Sequence, residues 1–126
     1  MYRVLIVDDE PSMLELMRIA FEQDGFAVQT AKSSYEAMAR LLEQWPDAVV
    51  VGDLRPLSVA SCNLVNDIRY AFAGLDMAVV MVSTQARPLD ITVGLAAGAN
   101  QYLTKPFRLQ ALVFTVLELI ARRSAA

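Results

Sequence analysis

Near its amino terminus the chain reads Val4-Leu5-Ile6-Val7-Asp8-Asp9-Glu10-Pro11. An unbroken apolar run of this kind suits a strand covered on both faces, as the strands of a parallel sheet are. The run stops abruptly at three carboxylates. Pro11 then suits the first position of a helix, where its missing N–H is no loss. Strand, acidic turn and helix form the predicted unit, and the alternation continues to the end of the chain.

Further strands are expected at 26–30, 48–52, 77–82 and 101–103, the first one covering 2–7. Helical spacing fills the gaps. Met13, Met17 and Phe21 share a face of a first helix that Gly25 stops. Ser33 and Glu36 form a capping box, with Met38, Leu41, Leu42 and Trp45 as the expected buried stripe before Pro46. Leu64, Val65 and Ile68 mark a third helix ending near Gly74. A fourth is expected over 88–98 and a fifth over 107–123. In the fifth, Leu109, Leu112, Val113, Val116, Leu117 and Ile120 make one wide apolar stripe, with Phe114 outside it between Ala111 and Ala121. Alternation of this kind predicts an α/β fold, a doubly wound five-stranded parallel sheet with five helices spread over both faces.

Length and composition narrow the function. The 126 residues suit one domain, taken as 1–126, with a core large enough to need no staples. Eleven basic against fourteen acidic residues give a net charge of −3, which argues against direct nucleic-acid or membrane binding, both of which need a basic footprint. One cysteine, Cys62, allows no intrachain disulfide, and the absence of histidine removes the usual structural zinc sites. No apolar run approaches the roughly 18 residues of a membrane span, and the strand begins too early for a signal peptide. A reducing, cytoplasmic setting is the expectation. Hydrophobic content of 56% with 20% charge leaves apolar surface to spare for a core or a partner.

In such a fold the ligand site lies beyond the carboxyl ends of the strands. Asp8, Asp9 and Glu10 follow the first strand and Asp53 follows the third. In one common doubly wound order, 2-1-3-4-5, those strands are neighbours, so the acidic groups should converge. Two carboxylates about 4 Å apart repel by roughly 4 kcal/mol at an effective dielectric near 20. A hard divalent cation, Mg²⁺ above all, offsets that with oxygen ligands. Ser83 ends the fourth strand and Lys105 follows the fifth, so a hydroxyl and an ammonium face the same edge. Carboxylate, cation, hydroxyl and ammonium together suit phosphoryl transfer, with a carboxylate as nucleophile and the others stabilising the transferring oxygens.

At these residues the chain resembles the receiver domain of two-component response regulators. The resemblance rests on 4–11, on Asp53, on Val82-Ser83, on Gly98-Ala99 and on Thr104-Lys105-Pro106-Phe107, in order and at matching spacings along nearly the whole chain. It implies a phosphorylation-dependent switch rather than a dedicated enzyme. Asp53 would be the phosphoacceptor. Asp9 would be a direct Mg²⁺ ligand with Asp53, Asp8 an outer-sphere one, and the Arg55 carbonyl a third protein ligand. Ser83 would be the switch hydroxyl, Lys105 its charge partner, and Tyr102 the aromatic that changes rotamer with it. Lys105–Pro106 would be cis. The donor would be a histidine kinase or phosphotransfer protein, since this chain has no histidine. A homodimer or output partner would use the fourth-helix, fifth-strand and fifth-helix surface, expected around Tyr102 and Phe114.

Departures from the family pattern surround Asp53. Pro56 and Leu57 stand in reversed order, and Ser61 replaces a glycine. Gly52 stands where a bulky apolar residue is usual, which is expected to weaken the strand end. Thr84 replaces a small residue and adds bulk beside the site. Arg55 and Gln85 hold the positions that, by the resemblance, would flank the path of attacking water. A degenerate receiver that binds partners without phosphorylation is the alternative. An aspartate-nucleophile phosphatase is argued against by Arg55, which stands where that chemistry needs a second carboxylate. Relief of like-charge repulsion predicts that Asp53→Asn stabilises the metal-free fold.

Overall fold

A computed structural model describes residues 1–57 and 59–125; Ala126, the last residue of the expected domain, lies outside the described residues. Strands and helices alternate five times: β1 (Arg3–Val7), α1 (Pro11–Gln23), β2 (Ala27–Ala31), α2 (Ser34–Glu43), β3 (Ala48–Val51), α3 (Ala60–Ala71), β4 (Ala78–Ser83), α4 (Pro88–Ala97), β5 (Gln101–Thr104) and α5 (Leu109–Ala125). All pairings are parallel, in the order β2-β1-β3-β4-β5. The doubly wound sheet and its strand order are as the sequence predicts.

Alternation along the strands divides the core in two. Val4, Ile6, Val50, Val80 and Val82 face Leu14, Met17 and Phe21 of α1 and Leu112, Val113, Val116 and Ile120 of α5. Leu5, Val7, Val49, Val51, Val79 and Met81 face Ala37 and Leu41 of α2 and Leu64, Val65 and Ile68 of α3. Every residue of β3 and β4 is buried, which is why those segments read as unbroken apolar runs.

Three expectations change. The Ser33 hydroxyl caps α2 by accepting from the Glu36 N–H at 3.1 Å, as predicted, but α2 ends at Glu43. Leu42 points outward, and Trp45, beyond the helix, is 58% exposed; Leu41 and Ala37 carry the buried side with Met38 packed beside them. The third helix covers Ala60–Ala71, about one turn short of the expected end near Gly74. Phe114 is exposed as predicted, at 65%, but it does not share a surface with Tyr102. It lines a groove with Ala20, Gln23 and Asp24 near the end of α1, whereas Tyr102 packs on the opposite side of the sheet and lines a cavity with Leu89 and Val93 of α4. The fifth-helix stripe itself is as expected.

Candidate functional site

Each chemically important residue sits where a strand stops at the same edge of the sheet. Gly52 N–H donates to the Val7 carbonyl at 2.6 Å, Asp9 N–H to the Asp53 carbonyl at 3.4 Å and Lys105 N–H to the Ser83 carbonyl at 2.8 Å. These bonds extend the parallel ladder beyond its regular part and bring the loops together. One open cleft is lined by Asp8, Asp9, Glu10, Asp53, Arg55, Thr84 and Lys105. Asp8, Asp9 and Asp53 therefore border one cleft, as predicted.

The Lys105 ammonium stands between two of the carboxylates, 3.1 Å from Asp8 Oδ2 and 3.4 Å from Asp53 Oδ2. Asp8 is only 1% exposed and also accepts from the Glu10 N–H at 2.9 Å. Its burial pushes the carboxyl above the ordinary range, and the Glu10 and Lys105 contacts only partly reverse this. Asp53 behaves oppositely. Burial pushes it upward too, but hydrogen bonds from Ser83 and Thr84 and the Lys105 charge outweigh that and hold it below the ordinary range. The carboxylate is thus the favoured form at Asp53, and the expected stabilisation by Asp53→Asn does not follow: its charge is supported, not merely repelled.

Both Asp53 oxygens are bonded within the chain. Ser83 Oγ donates to Oδ1 at 2.6 Å, while the Thr84 N–H and hydroxyl both donate to Oδ2 at 3.0 Å. Ser83 Oγ also accepts from the Gln85 N–H at 2.9 Å. The Tyr102 hydroxyl reaches the same loop and donates to the Gln85 carbonyl at 2.6 Å. Burial raises the pKa of this phenol. Serine, loop and tyrosine thus form one connected unit. Arg55 is largely exposed, with its Nε 3.7 Å from Asp9 Oδ2, an open ion pair of the weak kind.

Two residues here act in ways the sequence reading missed. Thr84 was read only as bulk, yet it supplies a hydroxyl to Asp53. Ser61, read as a departure, is buried; its hydroxyl donates to the Gly52 carbonyl at 2.6 Å and accepts from the Leu54 N–H at 3.2 Å. It therefore ties together the two residues that flank Asp53. A hydroxyl directly after Ser83, and another in place of glycine just after the Asp53 loop, were the available signals. Lys105–Pro106 is cis as expected, and Arg55–Pro56 is cis as well.

An implied Mg²⁺ can be tested against these donors. Asp8, Asp9 and Asp53 offer only hard oxygen atoms around one open cleft, which suits Mg²⁺ better than any softer ion. Among the described residues no three His, Cys, Asp or Glu side chains are drawn together into a ready-made cage. A cation taking one or two carboxylates plus waters does not require one.

Comparison with known proteins agrees with this geometry. Residues 4–117 match the family model for the response regulator receiver domain. The transcriptional regulatory protein PrrA of Mycobacterium leprae is 36% identical over 98% of this chain, which covers 52% of that protein. The phosphate regulon transcriptional regulatory protein PhoB of Escherichia coli is 30% identical over 97% of this chain and 53% of its own length. This chain thus spans about half the length of such relatives. Among solved structures, a putative response regulator from Chloroflexus aurantiacus superposes with a TM-score of 0.86 at 30% identity, covering 95% of this chain and 98% of that one. A CheY-like receiver domain protein from Methanospirillum hungatei superposes at 0.89, covering 99% and 98%, with 22% identity that speaks for the fold alone. With the acidic edge, the serine–lysine pair and the family match all in one register, the chain belongs to the response regulator receiver domain family.

Proposed function

We propose that this chain is a phosphorylation-dependent signalling switch in which Asp53 accepts a phosphoryl group. The observation that carries this reading is the bonding of one carboxylate: a hydroxyl at 2.6 Å from one oxygen and an ammonium at 3.4 Å from the other, at the carboxyl edge of a parallel sheet. The donor is a histidine kinase or a phosphotransfer protein, the kind of partner that membership of the receiver domain family implies. Residues 1–126 form one receiver domain working in the cytoplasm, and it is a signalling module, not a dedicated enzyme. Asp9 and Asp53 would hold Mg²⁺, with the Arg55 carbonyl as a third protein ligand and Asp8 as an outer-sphere one. When bound, the cation neutralises charge on the transferring oxygens.

Lys105 and Ser83 divide the remaining charge stabilisation between them. Ser83 leaves the carboxylate for the new phosphoryl oxygens, and the loop through Gln85 carries that shift to Tyr102 and α4. Leu89, Val93 and Leu95 of α4 are exposed and supply the apolar part of a surface for an output partner or a second copy. Phe114, on the α1 side, is not part of it.

Incubation with phosphoramidate and Mg²⁺, read by intact mass, tests the reading: the parent gains one phosphoryl group and Asp53→Asn gains none. A second reading, a phosphorylation-independent binding module, is favoured by one observation, that both Asp53 oxygens are already bonded within the chain. An unmodified parent under these conditions selects it.

A further inference from the structure

Thr84 makes two contacts to Asp53, and only one of them comes from its side chain. The backbone N–H is available with any residue but proline at 84; the hydroxyl, 3.0 Å from Oδ2, belongs to the threonine side chain. With Lys105 at 3.4 Å, Oδ2 has three donors around it, while Oδ1 has the Ser83 hydroxyl. Thr84 also lines the open cleft through which a donor must come.

Resting on the acceptor reading above, we infer that the Thr84 hydroxyl caps the Asp53 nucleophile and slows its phosphorylation. In the transfer step an Asp53 oxygen uses a lone pair to form the O–P bond. The P–N bond of the donor breaks, and its electron pair leaves on nitrogen, as ammonia when the donor is phosphoramidate. Negative charge on the carboxylate falls as the O–P bond forms. A hydrogen bond to that carboxylate is therefore stronger before the step than during it, and an interaction of this kind raises the barrier. The Thr84 N–H and the Lys105 ammonium can turn to the incoming phosphoryl oxygens, where charge persists. The Thr84 hydroxyl is the donor that a small residue at this position would not bring.

Three substitutions separate the hydroxyl from the bulk of the side chain. Thr84→Ala removes both, Thr84→Val removes the hydroxyl and keeps the bulk, and Thr84→Ser restores the hydroxyl on a smaller side chain. Rates of modification by phosphoramidate with Mg²⁺ are followed by intact mass, with folding checked by circular dichroism. Thr84→Ala and Thr84→Val are both expected to gain about tenfold, equivalent to about 1.4 kcal/mol in the barrier. Thr84→Ser is expected to return to within about threefold of the parent. Equal rates in all four proteins overturn the cap while leaving the acceptor reading intact. A fast Thr84→Ala beside a slow Thr84→Val also overturns it, because bulk would then be the obstacle. Absence of modification in every protein, parent included, removes the acceptor reading and the cap with it.

Discussion

The carboxylate of Asp8 occupies the space that a side chain at residue 52 would fill. A Cβ built on Gly52 would stand 2.1 Å from Asp8 Oδ2 and 2.7 Å from its Cγ. The glycine that looked like a weak strand end is what lets Asp8 lie buried against β3 and reach Lys105. Gly52→Ala is expected to displace the Asp8 side chain and cost about 1–3 kcal/mol, as overpacking of a tight site does. In an Asp8→Ala background the same substitution should cost less, because most of the clashing atoms are gone. Chemical denaturation of the double-mutant cycle measures the coupling, and additive effects would contradict the packing argument.

Ser61 bridges the backbone on either side of Asp53, so its loss should be felt twice. Ser61→Ala leaves the Gly52 carbonyl and Leu54 N–H without the hydroxyl that joins them. A buried polar group left unpaired costs about 1–3 kcal/mol, and a drop of that size is expected in urea denaturation. Modification by phosphoramidate should slow as well, since the peptide carrying Asp53 loses its brace. A variant with unchanged stability would mean that water replaces the hydroxyl at no cost.

Gly94 lies against the Tyr102 ring. A Cβ there would stand 2.8 Å from Tyr102 Cδ2 and 2.9 Å from Met81 Sδ, so the tyrosine can turn inward only past a glycine. For Gly94→Ala, helix propensity gains about 1 kcal/mol. Expulsion of Tyr102 loses its hydrogen bond to Gln85, typically about 1 kcal/mol. Stability should therefore change little while the tyrosine moves. Ring resonances of Tyr102, assigned with Tyr102→Phe, report the move; unshifted resonances would show that the helix yields instead.

Asp47 joins three elements at the opposite edge of the sheet. Its Oδ2 accepts from the Arg3 N–H at 2.8 Å and its Oδ1 pairs with Arg123 of α5 at 2.8 Å. Burial works against the charge, but the bonds and charges of Arg123 and Arg3 outweigh it, and the carboxyl is held below the ordinary 3.8. A carboxyl with a lower pKa folded than unfolded stabilises the fold above its unfolded value and loses that contribution as pH falls through its folded value. Asp47→Asn should cost about 1 kcal/mol at pH 7, a modest figure because the pair is partly solvated. The gap between parent and variant should close as the pH drops below about 3.8. Denaturation at pH 7, 5 and 3 measures it, and a constant gap would contradict the charge argument.

The sheet was legible because burial on both faces writes a strand as a run of valines, and the site because its residues stand at strand ends. What escaped has a common cause. The reason for Gly52 lies in Asp8, far earlier in the chain, and that for Ser61 in the two hydrogen bonds it makes to the Asp53 loop, so each read as a departure when seen alone. Trp45 was misplaced because an apolar stripe does not show where the helix stops, and Leu42, still within α2, because hydrophobicity alone does not fix which edge of a wide stripe faces the core. Phe114 was placed beside Tyr102 because the period of α5 shows which residues point outward, but not that Phe114 borders the end of α1.

Arg69, at the end of α3, fastens the far end of α4. Its guanidinium donates to the Gly98 carbonyl at 2.8 Å, the Met77 carbonyl at 2.7 Å and Asn100 Oδ1 at 2.8 Å, and the same Asn100 oxygen accepts from the Val79 N–H. Gly98 has φ of +126°, and a Cβ there would meet Arg69 Cγ at 2.5 Å, so the fastening closes only on a glycine. The near end of α4 follows the loop that touches Asp53. A ten-residue helix is about 15 Å long. Pinned at one end, it converts a displacement of about 2 Å at the other into a swing of about 8°. The fold thus holds the parts of a lever with its fulcrum at Arg69, and under the proposed function a change at Asp53 would reach the outer surface as rotation rather than as sliding.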